Sequence, residues 1–183
     1  GTASSGTDDS TEAPAEGGGE AAELDLTLLR TATSLEIAAV NTYQAAIDSG
    51  LVTTMAIADA AVLFQEQHQE HADLLSRATE DAGGEAYTEA NPFVQENVID
   101  PALAALTDET SVVVFALDLE NVAAQTYAFA AGALSTPAYR QAIMTIGGVE
   151  ARHAAVLAGV LEEAQVPNAF LPTDQAVGED AFV

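Results

Sequence analysis

Two stretches decide the fold: His68-Gln69-Glu70-His71-Ala72-Asp73-Leu74-Leu75 and Glu150-Ala151-Arg152-His153-Ala154-Ala155-Val156-Leu157. In each, a metal-ligating side chain stands three residues before a histidine, and an apolar pair comes after. On an α-helix, residues three apart share a face, so each pair projects to one side. Working outward, each stretch has a partner upstream. Leu35-Glu36 precedes Asn41-Thr42-Tyr43, and Leu119-Glu120 precedes Gln125-Thr126-Tyr127. Glu and Tyr are seven residues apart in both cases, about two helical turns. The chain therefore contains one helical hairpin twice.

The helices are set by apolar periodicity. Leu29, Ala32, Glu36, Ala39, Val40, Tyr43 and Ile47 recur at three- and four-residue steps from about Ala21, and Ser49-Gly50 stops them. A second helix is predicted over 53–80, ended by Gly83-Gly84. Residues 82–107 form a long crossover broken at Asn91-Pro92 and Asp100-Pro101, with short helices expected at 94–97 or 101–106. Asp108 or Thr110 caps a third helix reaching Leu134; Val112 to Val114 are β-branched, but the segment has helical length. Thr136 and Pro137 open a fourth, expected to run to about Gln165 before Pro167. The result is an all-α four-helix bundle of two hairpins joined by a crossover, read as up-down, crossover, up-down. The domain spans 23–166. Residues 1–22, rich in Gly, Ser, Thr and acids, read as a flexible acidic leader, and 167–183 as an irregular tail.

Composition narrows the function. The chain of 183 residues carries 29 acidic and 4 basic side chains, a formal charge of -25, and all four bases are arginines. A nucleic-acid binder needs basic groups to displace counterions, so that class is set aside, as is attraction to an anionic membrane. The acidic coat attracts cations, or marks a salt-adapted surface. With no cysteine, thiolate zinc sites, iron–sulfur clusters and thiol nucleophiles are excluded. No apolar run approaches the roughly 18 residues of a membrane span, and neither a phosphate loop, a Ser-His-Asp triad nor a haem ligand is suggested. A leader of this composition is common after a cleaved export signal or a lipid-modified cysteine. An exported or cell-surface protein is therefore expected, with a cytoplasmic location as the alternative.

Glu36 and Glu120 lie within apolar stripes. An unpartnered carboxylate there costs several kcal/mol, and the chain has no lysine and few arginines to pair with it. A metal would supply the charge. Glu36, His68, His71, Glu120, Glu150 and His153 are the candidate ligands, and they include every histidine of the chain. Against this stand plainer readings: a lone Glu in a stripe snorkels to solvent, a lone Glu-x-x-His arises by chance, and tyrosines at helical spacing pack in cores. The repetition of the whole pattern favours a site. Glu66 and Glu70 lie off the histidine face.

The pattern resembles the ferritin-like superfamily of di-iron carboxylate bundles, which includes rubrerythrins and bacterioferritins. It is most similar to stand-alone ferritin-like domain proteins, some linked to stress or desiccation. The resemblance covers about residues 24–165. It implies a Glu each from helices one and three (Glu36, Glu120), and Glu-x-x-His from helices two and four. Glu150 and His153 match fully; His71 matches, but His68 stands where the family has a bridging Glu. Tyr43 and Tyr127 resemble the tyrosines that hydrogen-bond ligand carboxylates, and would orient carboxylates or pass an electron. The resemblance further implies an iron cofactor, manganese or zinc being alternatives, and O2 or peroxide as partner. It implies a ferroxidase-like, oxidase or peroxidase activity, and a homo-oligomer, dimer or larger. His68 leaves three outcomes open: a di-metal site with an unusual ligand, a single metal on the second hairpin, or a degenerate site. The alternative function is a non-catalytic stress or assembly protein that keeps the bundle.

Overall fold

The computed structural model describes residues 17–183. Its main helices are α1 (Gly17–Asp48), α2 (Met55–Asp81), α5 (Glu109–Ala133) and α6 (Pro137–Val160). Between the second and third of these lie α3 (Pro92–Val94), a π-helical turn (Gln95–Ile99) and α4 (Asp100–Ala105). No strand occurs among the described residues, and no helix among them is long and apolar enough to cross a membrane. The fold is the expected all-α bundle of two hairpins joined by a long crossover. The leader expected over 1–22 falls outside the described residues up to residue 16, and 17–22 already belong to α1.

One expectation of topology is corrected. Asp25, at the start of α1, accepts hydrogen bonds from the Ser135 and Thr136 amides (2.7 and 3.0 Å) and the Ser135 hydroxyl (2.8 Å) at the start of α6. Glu109, at the start of α5, accepts from the Thr53 and Thr54 amides (2.6 and 2.7 Å) at the start of α2. The order is therefore up-down, crossover, down-up, with α1 antiparallel to α5. The crossover traverses the whole bundle. Its length permits this, since an extended residue covers about 3.3 Å against 1.5 Å in a helix. Buried Asn91 pins it midway. The Asn91 side-chain amide donates to Ser34 Oγ and to the Ala181 carbonyl (both 2.8 Å), while its oxygen caps α3 at Val94.

These two caps extend the sequence repeat. Asp25 and Glu109 each stand eleven residues before the glutamate of their helix (Glu36, Glu120), and Thr54 and Thr136 each stand seventeen before a histidine (His71, His153). Each end of the bundle thus uses a carboxylate of one hairpin to cap a helix of the other, where the dipole favours negative charge.

The end of the last long helix also differs from expectation. α6 stops at Val160, not near Gln165, because Glu162 takes a left-handed φ of 58° and turns the chain. The amides of Glu162 and Glu163 bond back to the Gly159 and Ala158 carbonyls, the same double closure that Gly83 and Gly84 make at the end of α2. The tail is irregular but fastened: Gln125 and Gln175 exchange two hydrogen bonds (2.9 and 3.1 Å), and Ala181 is buried.

The core has two apolar clusters. One gathers Leu28, Leu29, Leu75, Tyr127, Ile143 and Ile146; the other gathers Tyr43, Phe64, Val113, Leu117 and Leu157. A polar layer lies between them.

Asp25 carries a testable consequence. Burial disfavours its charge, but the amides and hydroxyls of Ser135 and Thr136 outweigh that and hold its carboxyl below the usual range. A lowered folded pKa stabilises above the unfolded value and is lost as pH falls through the folded one. Asp25→Asn is expected to cost about 1–3 kcal/mol in thermal unfolding at pH 7. The gap between parent and variant should narrow below about pH 3.9. At the other end of α6, Glu162→Gly removes a left-handed strain of about 1 kcal/mol, and Tm should rise by roughly 2 °C.

Candidate metal centre

The polar layer is made by the repeat. α1 contributes Glu36, α2 contributes His68 and His71, α5 contributes Glu120, and α6 contributes Glu150 and His153. Glu36, His68, Glu120, Glu150 and His153 are each no more than 3% exposed. The His71 side chain, at 12%, is the most open. Glu66 and Glu70 point to solvent.

The six side chains meet in two overlapping groups whose ligand atoms lie within 4.8 Å of one another. One is Glu36, His68, His71 and Glu150; the other is His68, Glu120, Glu150 and His153. His68 and Glu150 belong to both. His68 Nδ1 lies 2.7 Å from Glu36 Oε2 and its Nε2 lies 3.2 Å from Glu120 Oε1, so one ring faces both halves. His153 Nδ1 lies 3.3 Å from Glu120 Oε2 and 3.4 Å from Glu150 Oε2. His71 Nδ1 lies 2.8 Å from Glu150 Oε1. No hydrogen bond joins that last pair at its angle, and His71 Nδ1 and both Glu150 oxygens are buried with no hydrogen-bond partner. Buried polar groups are otherwise nearly always paired. Once the imidazole gives up its proton, these clustered atoms supply the lone pairs that a cation needs.

The tyrosines cross between hairpins. Tyr43 donates to Glu120 Oε1, and Tyr127 donates to Glu36 Oε1. Burial and the adjacent carboxylates push both phenols well above the ordinary value, so they remain donors. Gly147 lets α6 approach: a Cβ there would sit 2.8 Å from Tyr127 Cβ.

Electrostatics divides the six. Burial disfavours charge at every one. At His68 the carboxylates of Glu36 and Glu120 overcome it and hold the imidazole well above the usual histidine range. Contacts with Glu150 and Glu36 raise His71 to about 9, and Glu120 and Glu150 raise His153. His68 and His71 bring Glu36 down to about 2, and His153 and His68 lower Glu120. Glu150 goes the other way: burial and the charge of Glu36 raise it above the usual glutamate value.

Several supports of the centre are not predicted from the sequence. Gln67 Oε1 accepts from His153 Nε2 at 2.6 Å, which leaves Nδ1 facing the carboxylates. Phe64 stacks on the His153 ring with centroids 3.9 Å apart. The caps Asp25 and Glu109 have a signal in the extension of the repeat. Gln67 has none, since Val149 holds the matching place on α6.

The family model for a ferritin-like domain matches residues 24–163. The chain belongs to the ferritin-like domain family. A search of curated proteins found no match. Family and buried cluster together fit a metal-binding ferritin-like protein. The donor set of this ferritin-like chain, carboxylate and imidazole without thiolate, suits iron, manganese or zinc.

Two outcomes test this layer. In the metal-free chain, the raised His71 pKa stabilises fully below its unfolded value of 6.5 and is lost as pH rises through about 9. The lowered Glu36 pKa stabilises above 4.5 and is lost towards about 2. Denaturant unfolding of the chelated protein should therefore show greatest stability between those limits, near pH 5–6. Gly147→Ala gains up to about 1 kcal/mol of helix propensity but overpacks Tyr127 at about 1–3 kcal/mol. Its Tm should fall.

Proposed function

We propose that this ferritin-like protein binds a pair of iron ions and oxidises Fe(II) with O2 or peroxide. The observation that carries the reading is the set left without hydrogen bonds at the centre: His71 Nδ1 and both oxygens of Glu150, buried and clustered with the other ligand atoms. Glu36, His71 and Glu150 would hold one ion and Glu120, His153 and Glu150 the other, with a ring nitrogen of His68 toward each. Bound iron would supply the electron transfer that side chains cannot.

The protein's own part is positioning and charge. Three carboxylates set the negative charge that a cation pair must balance. Tyr43 and Tyr127 fix the rotamers of Glu120 and Glu36 by donating across the hairpin boundary. Gln67 fixes the His153 tautomer, and Phe64 holds its ring plane. Protons leave the histidines as metal enters, because only a neutral imidazole nitrogen is a ligand. Affinity should therefore climb with pH toward about 9, the His71 value.

A second reading is favoured by His68. With a histidine in place of a bridging carboxylate, the centre has less negative charge to stabilise an oxidised pair, and the protein would bind metal without turnover.

Elemental analysis after anaerobic Fe(II) titration tests the first statement. About two ions per chain are expected, one for each group of ligands. Glu150→Ala, which belongs to both groups, should lose both, and His153→Ala about one. No bound metal in the parent would overturn the proposal. Oxygen or peroxide consumption with excess Fe(II) then separates the readings: many equivalents per chain indicate an oxidoreductase, and none indicates the binding protein.

A further inference from the structure

We infer that the cleft between α1 and α5 is the route by which dioxygen, rather than peroxide, reaches the metal centre. The inference rests on the oxidoreductase reading above and names its oxidant. The cleft has a volume of about 70 Å³, room for several small molecules at the roughly 10–15 Å³ that a water requires. Its inner wall is Glu36, His68 and Glu120, and its sides are the matched repeat positions Leu35 and Leu119, Ala39 and Ala123. Val94 and Ile99 of the crossover and Val177 of the tail roof it. A second apolar cavity of about 40 Å³ adjoins it across Thr42, Tyr43 and Leu119.

Selectivity comes from how the polar wall groups are used. The hydroxyls of Thr42 and Thr126 donate to the carbonyls of Ala38 and Val122 (2.7 and 2.8 Å), inside their own helices. The tyrosine hydroxyls donate to Glu120 and Glu36. Both nitrogens of His68 face those same carboxylates, and the remaining Glu120 oxygen faces His153. Every polar side chain on the wall therefore has its partner elsewhere. Water or hydrogen peroxide entering the cleft would find the wall's donors committed and only a few acceptor oxygens, and so would give up more hydrogen bonds than it gains. Dioxygen has none to lose, and apolar cavities accept gases such as xenon.

The roof explains why the crossover spans the bundle. Hairpins pack closely within themselves, and α1 and α5 face each other across small alanines. Crossover and tail cover what would otherwise be an open groove.

The test uses the full chain. Xenon NMR reads the cleft without metal: saturable binding is expected in the parent, and its loss in Ala39→Phe and in Leu119→Phe. Both variants are first checked for parental helicity and Fe(II) content, so that a folding defect in one leaves the other. With Fe(II) loaded anaerobically, the variants should oxidise about tenfold or more slowly with dioxygen, and within about twofold of the parent with hydrogen peroxide. Xenon pressure should slow the dioxygen reaction of the unmodified chain. Equal slowing with both oxidants, or no slowing with either, overturns the inference, as does absence of xenon binding. If neither oxidant oxidises bound Fe(II), the oxidoreductase reading fails, and the xenon result still decides whether the cleft takes an apolar gas.

Discussion

Three carboxylates buried at the centre of a bundle constrain everything around them. Glu36, Glu120 and Glu150 are each no more than 2% exposed, in a chain with no lysine and four arginines. Arg30, Arg140 and Arg152 are spent on backbone carbonyls. Among the described residues, every ion pair within 4 Å joins a histidine to one of these glutamates. A buried charge without a partner costs far more than a single contact returns, so the helices must converge where imidazoles, or a cation with them, compensate it. The tyrosine hydrogen bonds and the two end caps then run between hairpins rather than within them. Apolar packing above and below the layer supplies stability, but the polar layer sets which helix faces which.

The repeat is close to a two-fold, and its departures matter more than its matches. Glu36 answers Glu120, Tyr43 answers Tyr127, and Asp25 answers Glu109. His68 against Glu150 breaks the symmetry at the shared position. Replacing a carboxylate there by an imidazole removes one negative charge and substitutes two separated nitrogens for two oxygens of one group. The halves also differ in support: His153 has Gln67 and Phe64 behind it, whereas no such partner stands behind His71 among the described residues. Two ions held here would meet unlike environments, the one beside His153 more firmly oriented.

Helical periodicity and a long repeat are local signals, and they make much of this bundle legible in the sequence. Helix order, the crossover and all six clustered residues can be read from spacing alone. Direction cannot: a crossover that turns back and one that traverses the bundle have the same sequence pattern, and only the Asp25 and Glu109 contacts decide. The end of α6 is hidden because left-handed closure is the habit of glycine, whereas here Glu162 provides it. Gln67 is hidden because a long-range side-chain contact has no periodicity. The tail looks irregular and is, yet Gln175 and Asn91 bind it to the bundle through contacts fifty or more positions apart.

The two sides of the centre are chemically unlike, because the tyrosines and the histidines ride on different helices. Both phenols sit on α1 and α5, where their hydroxyls meet the carboxylates and their buried rings, with Ala39 and Ala123, line the cleft, so this side is apolar. The histidines sit on α2 and α6. There His71 is partly open, and exposed Glu66 and Glu70 flank it along α2. Acidic side chains at such an opening attract a cation, and an apolar wall offers it nothing. The tyrosine–carboxylate hydrogen bonds thus form the boundary between an apolar side and the side that carries every histidine of the chain.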